Sequence, residues 1–318
     1  MTKSMDPMPV DRIEITTLMD NYSDLLLPST ETMKRFPLVD REGKTTEPPL
    51  AGHGLSLLIE TYQDGEKHTT LMDAGFPTAG IQHNWRVLGF EPAIVDGAFL
   101  SHGHPDHFAA LGAFLEARGE RIPLVLHPDA FLKRALIFPN GLKIELDLLP
   151  PREVLEGLGA DVIVTREPHL LAPGLTSTGQ VERVTPFEGR FPLAYAEVDG
   201  EWQPDDFWDD QGLVAHLKGK GLVIISGCAH AGIVNTVKQA QAITGEERVH
   251  AVIGGFHLTG MPKEQIDATV SALKALSPAL MVPTHCTGFE AQSEFARQMP
   301  DSFALNSVGT RIVLSGSE

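Results

Sequence analysis

The segment SHGHPDHF, residues 101–108, places three histidines and one aspartate within six positions. Imidazole and carboxylate are donors that suit zinc, iron or manganese. His102 and His104 are two apart, so extended backbone directs both to the same side. Asp106 and His107 fall where an apolar run gives way to a helical pattern and the chain must turn. The four side chains can therefore converge on one point, or on two points a few ångströms apart. A histidine-rich turn with no ligand is the competing explanation. Burying three imidazoles and a carboxylate together without one is costly, so a metal centre is the favoured reading.

Three later apolar runs each end in a histidine: His230 in ISGCAHAG, His257 in IGGFHLTG and His285 in VPTHCTG. Ligands of α/β sheets collect beyond the carboxyl ends of strands. A single histidine there is more often a packing or capping residue. Its recurrence beside glycines, which let a ligand approach the backbone, points to a site. Five further positions carry two readings each. Asp73 in LMDAG is a turn carboxylate before Gly75, or the acceptor for a ligating histidine's second N–H. His53 in GHGLS is a loop residue, or a side chain entering the cleft. Cys228 is a small buried thiol, or a thiolate donor that would favour zinc. Lys133 and Arg134 form a solvated helix face, or hold a phosphate.

The elements that must position these residues follow from periodicity. A strand is expected from Ile13 to Leu18, after a loose leader of residues 1–10. Lys34 to Pro49, rich in charge, Pro and Gly, reads as a loop. GLSLLIE (54–60) and HTTLMDAG (68–75) form a hairpin turning at QDGE. AIVDGAFLSH (93–102) is the next strand, and PLVLH (123–127) another. HFAALGAFLEARG (107–119) is a helix with Phe108, Leu111, Phe114 and Leu115 on one face. Residues 138–190 carry turn signals and weak periodicity, so short strands and loops are expected. GLVIISG (221–227), VHAVIGG (249–255) and ALMVPTH (279–285) are apolar strands separated by helical stretches. The second of these stretches, 262–276, has Pro262 at a suitable first helical position and Ile266, Val270 and Leu273 on one face. Strands alternating with helices indicate an α/β architecture. No linker, repeat or low-complexity segment divides the 318 residues, so one domain is expected.

Composition narrows the function classes. Hydrophobic residues are 42% and charged residues 21%, ordinary for a globular chain able to bury a large core. A formal net charge of −17 argues against nucleic-acid binding and against docking on an anionic membrane. It does not oppose an anionic small-molecule substrate, because bound cations dominate the local field of a pocket. Two cysteines, no apolar leader segment and no run near the ~18 residues of a membrane span lead to a cytoplasmic expectation.

HGHPDH resembles the H-x-H-x-D-H signature of metallo-β-lactamase-fold hydrolases. LMDAG resembles that fold's upstream strand-aspartate-glycine motif, and His285 its late histidine. The resemblance runs from about residue 13 to the C-terminus. It implies an αββα sandwich, two mixed sheets flanked by helices, with two divalent metals in a cleft at one sheet edge. Zinc is the first expectation, manganese or iron the others. His102 and His104 would belong to one metal, completed by His230. Asp106 and His107 would belong to the other, completed by His285. Many members carry a bridging aspartate in a Gly-Asp motif. Here the corresponding stretches read SGCAH and GGFHL, which leaves Cys228 as a candidate ligand and His257 as a ligand or a substrate contact; Asp73 would support the motif loop. GHGLSLLIE, SGCAHAGIVNT, GGFHL and HCTG also resemble the subfamily labelled 7,8-dihydropterin-6-methyl-4-(β-D-ribofuranosyl)aminobenzene-5′-phosphate synthase.

The function that follows is a dinuclear metal-dependent hydrolase, or related transferase, acting on a phosphorylated or ester-bearing small molecule. A metal-bridging hydroxide would be its nucleophile. Asp106 and His257 are the side chains expected to act in catalysis, with His257 donating a proton or holding an oxyanion. His53 and His257 are the expected substrate contacts. A di-iron redox centre and a non-catalytic ligand-binding protein on the same scaffold are the rival readings.

Overall fold

The computed structural model describes residues 8–317. In chain order the strands are β1 (Arg12–Met19), β2 (Met33–Lys34), β3 (Ser56–Gln63), β4 (Glu66–Met72), β5 (Gly97–Phe99), β6 (Ile122–Leu126), β7 (Arg134–Ile137), β8 (Lys143–Glu145), β9 (Ala160–Val164), β10 (Leu170–Ala172), β11 (Leu175–Ser177), β12 (Ala194–Val198), β13 (Glu201–Pro204), β14 (Gly212–Leu217), β15 (Gly221–Ser226), β16 (Val249–Gly255), β17 (Leu280–Thr284) and β18 (Arg311–Ser315). The helices are α1 (Thr78–Leu88), α2 (Pro105–Phe108), α3 (Leu111–Arg118), α4 (Arg152–Gly157), α5 (Ile233–Thr244), α6 (Lys263–Ala275) and α7 (Phe289–Gln298).

Alternation along the strands builds the layers. In β3, Leu57 and Ile59 face one cluster while Leu58 faces another. In β15, Val223 and Ile225 face the first cluster while Leu222 and Ile224 face a third. Side chains two apart share a face, so both strands are apolar on both faces. The shared cluster joins Ile13, Ile15, Phe99 and Val125 to Leu213, Ile253 and Val282, and is the seam between two sheets. One sheet has the order β2-β18-β1-β3-β4-β5-β6-β9, the other β10-β11-β14-β15-β16-β17. Outside the first sheet lie Ile81 and Trp85 of α1, Phe114 of α3 and Leu155 of α4. Outside the second lie Val237 of α5, Val270 of α6 and Phe295 of α7. Burying each such side chain contributes roughly 1.5–3 kcal/mol. The helix–sheet–sheet–helix order is the αββα sandwich that the resemblance implies.

Several local expectations need correction. The hairpin turns where expected, with Gln63 opposite Glu66, and both central residues, Asp64 and Gly65, take positive φ. The strand expected over 93–102 shrinks to β5. Pro92 opens a 3-10 turn instead, having a fixed φ and no N–H for a ladder. The helix expected over 107–119 breaks into α2 and α3, because the Ala110 N–H donates to the carbonyl of Gly75 rather than along the helix. Pro262 caps α6 from outside rather than opening it. Val10 is buried and bridges Leu217, so the last leader residue is held by the fold. Residues 1–7 of that leader lie outside the described residues.

The region 138–190 contains α4 as well as short strands. A third sheet, β13-β12-β7-β8, was not anticipated. Lys133 and Arg134 sit at its start and not on a helix. Among the described residues, no helix is long and apolar enough to cross a membrane.

Candidate metal centre

The parallel strands β4, β5, β15, β16 and β17 end at one edge of the sandwich, and each delivers a group there. β4 ends at Asp73 and β5 leads to the 101–108 turn. β15 leads to Cys228 and His230, β16 to His257, and β17 to His285. Of the eight non-glycine residues with positive φ among those described, five border this edge: Asp73, Phe207, Ala229, His257 and His285. Such backbone costs about 1–3 kcal/mol per residue and persists only where packing imposes it.

Two donor clusters stand side by side. His102, His104 and His230 form the first, and Asp106, His107 and His285 the second. The His102 and His107 rings are 4.2 Å apart across the boundary. In the first cluster, His102 Nε2 lies 3.0 Å from His104 Nδ1 and 3.2 Å from His230 Nε2. One ring nitrogen, with a single proton or a single lone pair, cannot fully satisfy both neighbours. Burial, followed by repulsion from neighbouring positive groups, pushes all three imidazoles well below their usual pKa. Three neutral imidazoles with converging nitrogens fit a borderline-soft cation.

The second cluster is charged. Burial would raise the Asp106 carboxyl, but His107 and His285 overcome this and hold it well below the usual carboxylate range. Burial would lower His107, yet Asp73 and Asp106 push it up to about 9. His285 Nε2 lies 3.3 Å from Asp106 Oδ2 without hydrogen-bond geometry. A buried, poorly satisfied nitrogen beside a carboxylate also fits a cation.

Asp73 supports both clusters. Its Oδ2 accepts from His107 Nδ1 at 2.6 Å, leaving Nε2 to face the cluster. The same oxygen accepts from the Ser101 hydroxyl at 2.8 Å, and that hydroxyl accepts from His102 Nδ1 at 2.9 Å. One carboxylate thus fixes the ring orientation of a histidine in each cluster. A Cβ on Gly227 would meet Ser101 Oγ at 2.1 Å, so glycine makes room for this relay. The turn itself is pinned by backbone bonds from Leu55 N–H to Asp106 O and from Ala74 N–H to His107 O.

Sequence reasoning missed several supports. Arg134 is buried, donating to Asp205 Oδ2 and Asp209 Oδ1, each at 2.7 Å. Asp209 Oδ2 accepts from Gly103 N–H at 2.8 Å, inside the His-x-His stretch. Arg134 is therefore spent on two carboxylates, and the exposed Lys133 pairs with Glu197 at 3.0 Å. Asp20 and Asn21 hold His285: its N–H donates to Asp20 Oδ1, and the Asn21 amide donates to its carbonyl. Phe207 stacks on His230 at 4.2 Å. The adjacent acids at 209–210 and the Asp-Asn pair at 20–21 were visible signals, but nothing in their spacing links them to the motif.

The remaining candidates also gather here. His53, largely exposed, reaches within 3.6 Å of Asp106 Oδ2. His257 is half-buried, its ring 4.0 Å from His230 and 5.6 Å from Phe191. Cys228 Sγ is 3.2 Å from His107 Nε2 and 3.1 Å from Cys286 Sγ. Cys286, passed over in the sequence, is half-buried at the same edge. A cavity of about 640 Å³ opens over both clusters. Its walls include Phe76, Phe191, Phe207, and Leu136 and Tyr195 from the third sheet.

Residues 50–240 match the family described as the metallo-beta-lactamase superfamily. A Methanocaldococcus jannaschii protein named 7,8-dihydropterin-6-methyl-4-(beta-D-ribofuranosyl)-aminobenzene-5'-phosphate synthase is 33% identical over 276 residues, 86% of this chain and 94% of that one. An uncharacterised protein of the same organism is 30% identical over 249 residues, 78% of this chain and 88% of its own. A solved structure described as a metal-dependent hydrolase of the β-lactamase superfamily covers 95% of this chain and 99% of its own, with a TM-score of 0.71 at 23% identity.

Proposed function

Since the chain belongs to the metallo-β-lactamase superfamily, we propose that it is a dinuclear metal-dependent enzyme that hydrolyses, or transfers a group from, a phosphorylated or ester-bearing small molecule. The observation that carries this reading is the coincidence of the two donor clusters with the floor of the 640 Å³ cavity. His102, His104 and His230 would hold one cation, and Asp106, His107 and His285 the other. When bound, such cations supply Lewis acidity and lower the pKa of water towards ~7. Zinc is favoured by the imidazole-rich set with Cys228 beside it.

The chain's own groups do the rest. Asp73 orients His107 directly and His102 through Ser101. His257, facing the cavity from β16, is placed to pass a proton to a leaving group or to hold a developing oxyanion. His53 stands at the rim as a substrate contact. The aromatic and aliphatic walls suit a flat aromatic ring, with the anionic end of the substrate turned to the floor. This agrees with the pterin and aminobenzene groups in the name of the curated relative, and that relative's being a synthase favours group transfer over hydrolysis.

The test is a substrate panel run on protein loaded separately with zinc, manganese and iron. It comprises bis-p-nitrophenyl phosphate, lactones, thioesters and a phosphorylated pterin paired with an aminobenzene ribosyl phosphate. Metal-dependent turnover of a phosphorylated substrate or an ester is expected. Full metal loading with no turnover anywhere would favour a ligand-binding protein instead.

A further inference from the structure

Beside the two clusters stands a pair of cysteines: Cys228 also groups with His102 and His107, and both cysteines group with His257. Cys228, at the end of β15, and Cys286, just after β17, bring their sulfurs within 3.1 Å, and both are free thiols. Their strands are not neighbours, since β16 lies between β15 and β17. The two loops meet across Gly255. A Cβ there would stand 2.7 Å from Cys286 Sγ and 3.3 Å from the Cys228 Cα. Any other residue would collide with the Gly227 carbonyl and displace the Cys286 sulfur. Cys228 is buried beside His107, whereas Cys286 is half-buried on the wall of the cavity.

We propose that Cys228 and Cys286 form a reversible intramolecular disulfide when the cavity admits hydrogen peroxide or a small organic hydroperoxide. In the first step Cys286 sulfur attacks a peroxide oxygen and the O–O bond breaks. The leaving oxygen departs as water with the thiol proton (as an alcohol from an organic hydroperoxide), leaving a sulfenic acid. Cys228 sulfur then attacks Cys286 sulfur, the S–O bond breaks, and hydroxide leaves as water with the Cys228 proton. The sulfur pair has lost two electrons and the peroxide has gained them. The contact replaces the slow search for a resolving thiol, so the second step precedes further oxidation.

The disulfide stands independently of the proposed metal reading, whereas its consequence rests on it. Cys228 sulfur lies within reach of His102 and His107 as a donor. Tied to Cys286 it cannot be a thiolate, so metal uptake weakens. Losing even a supporting group costs on the order of tenfold to a hundredfold in metal affinity, so losing this donor should cost at least about tenfold.

The experiment uses the full chain, reduced and metal-free, treated with hydrogen peroxide and analysed by thiol titration, intact mass and peptide mapping. Both thiols should disappear together, with loss of two hydrogens and a cross-linked peptide pair carrying residues 228 and 286. Dithiothreitol should restore them, and zinc titration of the oxidised protein should show the affinity loss. In Cys286→Ser and Cys228→Ser the remaining thiol should proceed to higher oxides. If Cys228→Ser does not fold, Cys286→Ser alone carries this arm. Independent oxidation of the two thiols to sulfinic acid, or disulfides between chains, would overturn the disulfide. Unchanged zinc affinity of the oxidised protein would overturn the gating. Neither result depends on any turnover assay, so failure of the enzymatic reading is recorded separately.

Discussion

The two donor clusters differ in composition and charge: three histidines form one, and an aspartate with two histidines forms the other. His102, His104 and His230 are neutral imidazoles crowded among themselves, with burial disfavouring any proton. Asp106, His107 and His285 form a charged group in which a carboxylate and the Asp73 contact sustain a proton on His107. The lesson is that the first site is prepared for a cation without losing a proton, whereas the second must release one. Their shared dependence on Asp73 couples two otherwise unlike sites.

The largest expected effect comes from removing one donor on each side. His230→Ala should abolish one equivalent of bound metal, and His285→Ala the other, each costing more activity than the ~10–100-fold typical of a supporting residue. Elemental analysis alongside turnover checks this. If both variants lose the same ion, the division into two clusters is wrong. Asp73→Asn should weaken both sites by about 10–100-fold, while Ser101→Ala, which breaks only the relay to His102, should weaken the first alone. Isothermal titration with zinc separates the two patterns.

Arg134→Met tests the scaffold. It strands Asp205 and Asp209 without their buried partner, and loss of one member of a buried pair costs roughly 3–5 kcal/mol. Denaturant unfolding should show this. Because Asp209 also holds the Gly103 N–H, metal affinity should fall mainly at the first cluster.

The smallest effect lies just before β16, at the end of that strand away from the clusters. Glu246 is held down to about 2, chiefly by Arg248 hydrogen bonds. Its folded pKa is below the unfolded value, so its contribution to stability is present above the usual glutamate range, near ~4.3. That contribution is lost as pH falls towards 2. Glu246→Gln should lower Tm slightly at pH 7, and the difference should vanish by pH 2. Metal affinity should not change, since the pair stands at the opposite edge from the clusters.

How much of this was legible depended on sequence distance. β1, β3, β4, β6, β15, β16 and β17 could be read as apolar segments bounded by turn residues, and the 101–108 turn because its donors are contiguous, whereas β2, β14 and β18 were missed. His230, His257 and His285 could be read because each follows an apolar run directly. The third sheet could not, as its strands are three to five residues long and half-exposed. Its one clear signal, Asp199-Gly200 between β12 and β13, was overlooked. Arg134 looked like a surface cation because its partners lie 71 and 75 positions away. Pairing of that kind is a property of the tertiary fold, and no local period reveals it.

The central claim is that six side chains, four from the turn after β5 and one each from beyond β15 and β17, hold two cations. Diffraction recorded at the zinc absorption edge from zinc-grown crystals tests it most directly. The account predicts two anomalous peaks, one among His102, His104 and His230 and one among Asp106, His107 and His285. A cleft with no anomalous peak, or zinc bound only away from these residues, would contradict it.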